Sequence, residues 1–230
     1  MLIGKQGAAK LANSRVAIFG LGGVGSHAAE ALARAGVGYL ELIDGDVVAP
    51  SNINRQLPAL HSTIGQPKVQ VLRQRFLDIN PQVQIVARQE FYRPENGASF
   101  IHKDLDYVID AIDTVPSKVD LIARCLEANV PIISSMGAGN RLDPGAFRVA
   151  DISATSVCPL AKAVRRGLRL KGIEKGVEVV FSLEPPLRPC QVCGDPYQGK
   201  QVPGSISFVP AVAGYLMAGV VIRRLLGYSG

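Results

Sequence analysis

The chain is 230 residues long, 47% hydrophobic and 19% charged, with a formal net charge of +6. That length suits one large α/β domain, and the apolar share supports an extended core, which excludes an intrinsically disordered chain. The positive balance, with a pI near 9.3, favours an anionic partner and concerns association rather than fold. The stretch from Met1 to Gly4 has neither the basic region nor the long apolar run of a signal peptide. Four cysteines without a secretion signal fit reduced thiols, so a cytoplasmic protein is expected.

In chain order, residues 1–14 read as a short helical lead-in. Residues 15–19 suit a buried strand and run into Gly20, Gly22, Gly23 and Gly25; a helix-forming run at 28–35 follows, stopped by Gly36. Strand, glycine turn and helix start together form a dinucleotide-type fingerprint, which brings backbone N–H groups close to a phosphate. A glycine turn that only packs helix on strand is the plainer alternative. Residues 39–44 close the first βαβ unit and put Asp44 at the carboxyl edge of the sheet, where an acid commonly holds ribose hydroxyls. To this point a nicotinamide-dependent oxidoreductase fits equally well.

The polar loop 44–56 departs from that pattern. It ends in Arg55, and Gly65-Gln-Pro-Lys68 follows at the start of a helix predicted over 69–79. Two cations near bound phosphates suit chemistry at phosphorus, where charge must be stabilised as pyrophosphate leaves; surface ion pairing is the alternative. Val83, Ile85 and Ala87 alternate as a third strand would. A short helix is expected from Pro94 through Ile101. Residues 107–113 read as a buried strand ending at Asp113, placed to hold Mg²⁺ through a hard oxygen ligand. Asp110, inside that strand, is expected to be structural. A helix over 118–128, a strand over 131–134 and a turn at 137–139 complete the first half.

The set Gly20-Leu-Gly-Gly-Val-Gly25, Asp44, Ser51-Asn-Ile-Asn-Arg-Gln56, Gly65-Gln-Pro-Lys68 and Asp110-Ala-Ile-Asp113 resembles the ubiquitin-activating-enzyme-like adenylating superfamily, to which ThiF and MoeB enzymes belong. The resemblance implies a Rossmann-like, doubly wound, mostly parallel α/β sheet with a C-terminal extension. It implies a single adenylating domain over 1–230, with a nucleotide-binding core at 1–150 and a crossover and extension at 151–230. ATP would lie on the glycine loop, with Asp44 on the ribose, Arg55 and Lys68 on the phosphates and Asp113 carrying Mg²⁺. Asp46, Ser51, Asn52 and Thr114 are implied as further nucleotide contacts. Arg55, Lys68 and Asp113 are the expected catalytic set. In this superfamily a substrate carboxylate attacks the α-phosphorus of ATP, giving an acyl-adenylate and pyrophosphate.

The second half, including Ile133-Ser-Ser-Met-Gly-Ala-Gly-Asn-Arg-Leu-Asp-Pro144 and Glu184-Pro-Pro186, is similar to the tRNA threonylcarbamoyladenosine dehydratase branch. That resemblance implies cyclisation of the modified adenosine: the ureido group displaces AMP and closes a ring, a step that positioning alone can accelerate. Cys158 stands where that branch usually has Asp, and Leu183 where it often has Thr. The branch also carries an arginine just upstream of Leu2-Ile-Gly4, so the chain is expected to begin late. A tRNA substrate agrees with the basic residues Lys162, Arg165, Arg166, Arg169, Lys171 and Lys175, the first four spaced to share one helical face; a solvated basic helix is the alternative. A homodimer is expected, and a cysteine desulfurase or sulfur-acceptor partner is entertained.

Cys190 and Cys193 form one C-x-x-C pair, which cannot close a tetrahedral zinc site alone, so structural zinc is not expected. The uncharged stretch 202–222 is long enough to consider a membrane span, but its prolines and glycines favour a core or interface helix from Ala211 to Arg223-Arg224. No integral span is expected, with peripheral membrane association left open. Other functions also stay open. They are an adenylyltransferase acting on a sulfur-carrier C-terminus, a non-catalytic nucleotide-binding scaffold and, more distantly, the oxidoreductase.

Overall fold

The computed structural model describes residues 2–187 and 204–228; Cys190 and Cys193 lie outside them. The chain opens with α1 (Gly4–Ala12), β1 (Arg15–Phe19), α2 (Gly25–Ala35), β2 (Tyr39–Ile43), α3 (Lys68–Ile79) and β3 (Gln84–Arg88). It continues through β4 (Tyr107–Asp110), α4 (Val115–Glu127), β5 (Ile132–Ser135), β6 (Phe147–Asp151), α5 (Pro159–Arg169), β7 (Glu178–Ser182) and α6 (Val209–Leu226). The strands form one sheet ordered β3-β2-β1-β4-β5-β7-β6. Only the β6–β7 pair is antiparallel, so the doubly wound, mostly parallel α/β architecture expected from the sequence is what forms.

Alternation along β1 builds both faces of the core. Val16 and Ile18 pack with Leu32, Leu72 and Met217 from α2, α3 and α6. Ala17 and Phe19 face Ile122 and Val164 from α4 and α5. Because β2 and β4 flank β1 on opposite sides, the chain reverses direction across the sheet at β1, and a crevice opens there beyond the strand ends.

Several boundaries differ from the sequence reading for local reasons. α2 begins at Gly25, not residue 28, because the Ser26 N–H and hydroxyl both donate to the Gly22 carbonyl and start the helix inside the glycine turn. β4 stops at Asp110. The Asp110 carboxylate accepts the Ile112 N–H and turns the chain, leaving Asp113 in the following loop rather than at a strand end. α4 starts at Val115 with Pro116 in its first turn. In place of a helix from Pro94 to Ile101 there is one 3₁₀ turn at Gly97–Ser99.

The apolar C-terminal stretch becomes α6, which is long and apolar enough to cross a membrane by length and composition, with half of the helix buried inside the protein. It crosses α2 closely: a Cβ on Gly214 would lie 2.3 Å from the Val24 carbonyl oxygen. At the α2 N-terminus, Gly20 has φ +85°, and a Cβ on Gly25 would fall 1.8 Å from the Gly20 carbonyl oxygen. Gly36 also has positive φ but faces open space. Gly25→Ala should therefore cost about 3 kcal/mol or more of folding stability. Gly36→Ala should cost about 1 kcal/mol, the penalty of the left-handed conformation alone. Urea unfolding of the two variants checks the difference.

Candidate functional site

A cleft of about 680 Å³ opens beyond the carboxyl ends of β1, β2, β4 and β5. Gly20, Gly22 and Gly23 form its floor, and Val24 and Thr114, which precede α2 and α4, and Pro159 and Leu160, which begin α5, stand around it. Helix N-termini favour anions, so the wall potential is positive before any side chain is counted. The order β2-β1-β4-β5 gives the cleft two ends. Asp44, Asp46, Lys68 and Phe91 line the β2 and β3 end, Met136, Gly137, Arg141 and Cys158 the β5 end, and Asp113 and Thr114 stand between.

Asp44 holds the loop in shape. The Leu21 N–H donates to its Oδ2 at 2.6 Å and the Asp46 N–H to its Oδ1 at 2.8 Å. Burial pushes its carboxyl above the usual range, and the Lys68 charge and the two amides offset only part of that. The loop after β2 folds back on the start of α3 through Val48 N–H to Gln66 and Lys68 N–H to Asp46. That return places Lys68, 4% exposed, with its ammonium 2.8 Å from the Asp46 carboxylate.

Arg55 reaches the same cleft from another element. Its guanidinium donates to the Ser51 carbonyl and the Asn54 side chain, both at 2.8 Å, and it makes no ion pair among the described residues. Its backbone carbonyl accepts from His27 Nε2 at 3.2 Å. Burial of that ring lowers its pKa, more than the Arg55 carbonyl and Glu30 raise it. His27 on α2 thus ties the arginine-bearing loop to the helix that follows the glycine turn.

Of the residues singled out from sequence, Gly20, Gly22, Gly23, Asp44, Asp46, Arg55, Lys68, Asp113 and Thr114 line this cleft. Gly25 sits beneath the floor against Gly20. Ser51 and Asn52 stand behind Arg55, their carbonyls accepting from its side chain and backbone. Asp110 is structural, as expected: Lys118 Nζ donates to it at 2.8 Å and Ser134 at 2.5 Å, and both charged side chains are fully buried. Arg165 leaves the basic row, turning inward to Thr155, whereas Lys162, Arg166 and Arg169 remain exposed. Phe91 and Arg141 were missed. Neither lies in a recognisable motif, although Arg141 stands in the segment after β5 that carried the branch resemblance.

The ThiF family model matches residues 1–230. A tRNA threonylcarbamoyladenosine dehydratase of Bacillus subtilis (strain 168) is 49% identical, covering 98% of this chain and 92% of that protein. The crystal structure of the Escherichia coli tRNA N6-threonylcarbamoyladenosine dehydratase TcdA in complex with ATP superposes with a TM-score of 0.88 at 35% identity, covering 98% of this chain and 90% of that one. The sulfur carrier protein ThiS adenylyltransferase of Escherichia coli (strain K12) is 39% identical, but over only 61% of this chain and 56% of its own length.

The Asp110–Lys118 pair anchors the strand end from which the Asp113 loop departs. Asp110→Ala should strand a buried ammonium and cost about 3–5 kcal/mol; chemical unfolding measures it.

Proposed function

This chain belongs to the ThiF family, and from that premise we propose that it is an ATP-dependent tRNA threonylcarbamoyladenosine dehydratase. The observation that carries this reading is the meeting of Arg55, Lys68 and Asp113 around one glycine-floored cleft, in a chain alike to such dehydratases along nearly its whole length. The sulfur-carrier alternative is less well supported, because such relatives are either 39% identical over 61% of this chain or 32% identical over 99% of it, against 49% over 98% for the dehydratase.

In this reading ATP lies with its adenosine toward Asp44 and Phe91 and its phosphates over Gly20, Gly22 and Gly23. Arg55, held by neutral partners, and Lys68, held by a half-exposed carboxylate, keep most of their charge available for the phosphates. The substrate carboxylate attacks the α-phosphorus and pyrophosphate leaves. The ureido nitrogen then attacks the activated carbonyl and AMP leaves, closing the ring with net loss of one water.

Mg²⁺ fits the site as a metal carried by the nucleotide. No group of three or more candidate ligands occurs among the described residues, while the Asp113 carboxylate is exposed at the cleft, and phosphate-bound Mg²⁺ needs only one or two carboxylates. When bound, it would neutralise phosphate charge; Asp113 would hold it.

The exposed row Lys162, Arg166 and Arg169 supports a tRNA partner. α5 starts at the cleft, where Pro159 and Leu160 line the wall, so the row leads away from the site along one helix face, a track for an RNA backbone. A homodimer, a cytoplasmic location and docking of a cysteine desulfurase or sulfur acceptor extend the proposal on resemblance and composition.

Mixing the protein with ATP, Mg²⁺ and threonylcarbamoylated tRNA should yield a nucleoside lighter by one water, read by mass spectrometry. Arg55→Ala and Lys68→Ala should each lower kcat about 10²–10³-fold with unfolding curves unchanged, and Asp113→Ala should raise the Mg²⁺ concentration required. Wild-type rates from all three would remove the proposed machinery. Separately, replacing Lys162, Arg166 and Arg169 with Ala should flatten the slope of log affinity against log salt for tRNA by about 2. ATP affinity should hold, and an unchanged slope would place the RNA elsewhere.

A further inference from the structure

Arg141 follows β5 at the end of the cleft away from Asp44 and Phe91. Its side chain is 3% exposed. Nε donates to the Gly137 carbonyl at 3.0 Å, whereas Nη1 is buried with no hydrogen-bond partner. No ion pair to Arg141 occurs among the described residues. Glu184, the acid that reaches this segment, spends its oxygens on the Leu142 and Asp143 amides.

The segment is also built rigidly. Asn140 has φ +57°, and its N–H and Oδ1 both pair with the backbone of Gly204, at 2.8 and 2.6 Å. The Leu187 N–H donates to the Asn140 carbonyl at 2.7 Å. An arginine cannot discharge itself by losing its proton, and a buried cation without an opposite charge is costly. Its fixed Nε leaves Nη1 as the unspent donor in the cleft wall. An anion is the missing partner.

The cleft has to hold two anions in the proposed reaction. The phosphates lie over the glycine floor with Arg55 and Lys68 beside them, whereas Arg141 stands beyond β4, past the phosphates from the ribose end. We infer that Arg141 is the receptor for the carboxylate of the acyl substrate, pairing with it through Nη1 and presenting it to the α-phosphate. The inference rests on the acyl-adenylating reading, and it makes Arg141 the group that distinguishes a threonylcarbamoylated adenosine from an unmodified one.

The test compares wild type with Arg141→Met and Arg141→Lys. In Arg141→Met, ATP affinity should stay within about twofold while kcat/KM for threonylcarbamoylated tRNA falls about a hundredfold or more. Wild type should bind modified tRNA more tightly than unmodified tRNA, and Arg141→Met should bind both alike. Arg141→Lys, keeping the charge without the planar fork, should recover part of the loss. The thermal midpoint of Arg141→Met without ligand should equal or exceed that of wild type, because an unpaired buried charge has been removed.

A variant that keeps the preference for modified tRNA overturns the inference. So does one that loses ATP affinity instead, which would assign Arg141 to the phosphates, or one whose midpoint and activity fall together, which would make it structural. If wild type itself releases no AMP with modified tRNA, the dehydratase reading fails and takes this one with it; if wild type is active and the preference survives in Arg141→Met, only the Arg141 assignment fails.

Discussion

The cleft depends on the approach of Gly25 to the carbonyl of Gly20, where an added Cβ would fall 1.8 Å from the oxygen. Only a residue without a side chain permits it, and it seats the first turn of α2 directly over the end of β1. The unpaired amides of that turn then face the crevice created by the reversal of strand order. Asp44 completes the arrangement from the neighbouring strand by accepting the Leu21 amide. Every other group of the cleft is placed relative to this loop.

α6 extends the same device. At Gly214 it crosses α2 at backbone contact, and Pro210 would lie 3.1 Å from a Cβ on Gly23. The last helix of the chain therefore supports the glycine loop from behind, and its apolar character is explained by the buried face it presents to α2. His27, tied to the Arg55 carbonyl and stacked edge-on to Tyr215 of α6, links the support to the cation-bearing loop.

The cations of this basic chain fall into distinct environments, and burial sorts them. Lys118 is neutralised in the core by Asp110 and also donates to the Ser134 hydroxyl, since a fully desolvated charge must be paired. Lys68 shares a carboxylate that is itself half exposed to the cleft. Among the described residues Arg55 and Arg141 donate to neutral oxygens alone. The row on α5 stands in water, where screening leaves it useful for a polyanion and weak for anything smaller. A gradient from spent to unspent positive charge thus runs from the core to the cleft and out along one helix.

Much of this was legible in the chain because it is encoded over short separations. The glycine spacing, the alternation in β1, the stop at Gly36 and the acid at the end of β2 are local signals, and together with Arg55, Lys68 and Asp113 they led to the correct sheet and to residues that do share one cleft. Local signals failed where backbone geometry competes with propensity. Gly25 entered α2 because hydrogen bonding to Gly22 outweighed its poor helix propensity, and the Asp110 carboxylate ended β4 early by capping Ile112. Arg165 could not be told from its neighbours by spacing, since only the position of Thr155 turns it inward.

The sequence by itself determined the order of strands through β5, the glycine turn between β1 and α2 and the identity of the cations, since each depends on neighbours a few residues apart. Only the tertiary structure decided which cations remain without a counter-charge. The burial of Arg141 and its lack of an ion pair among the described residues are set by segments that converge from after β5, after β7 and before α6, and no pattern within any one of them records the meeting.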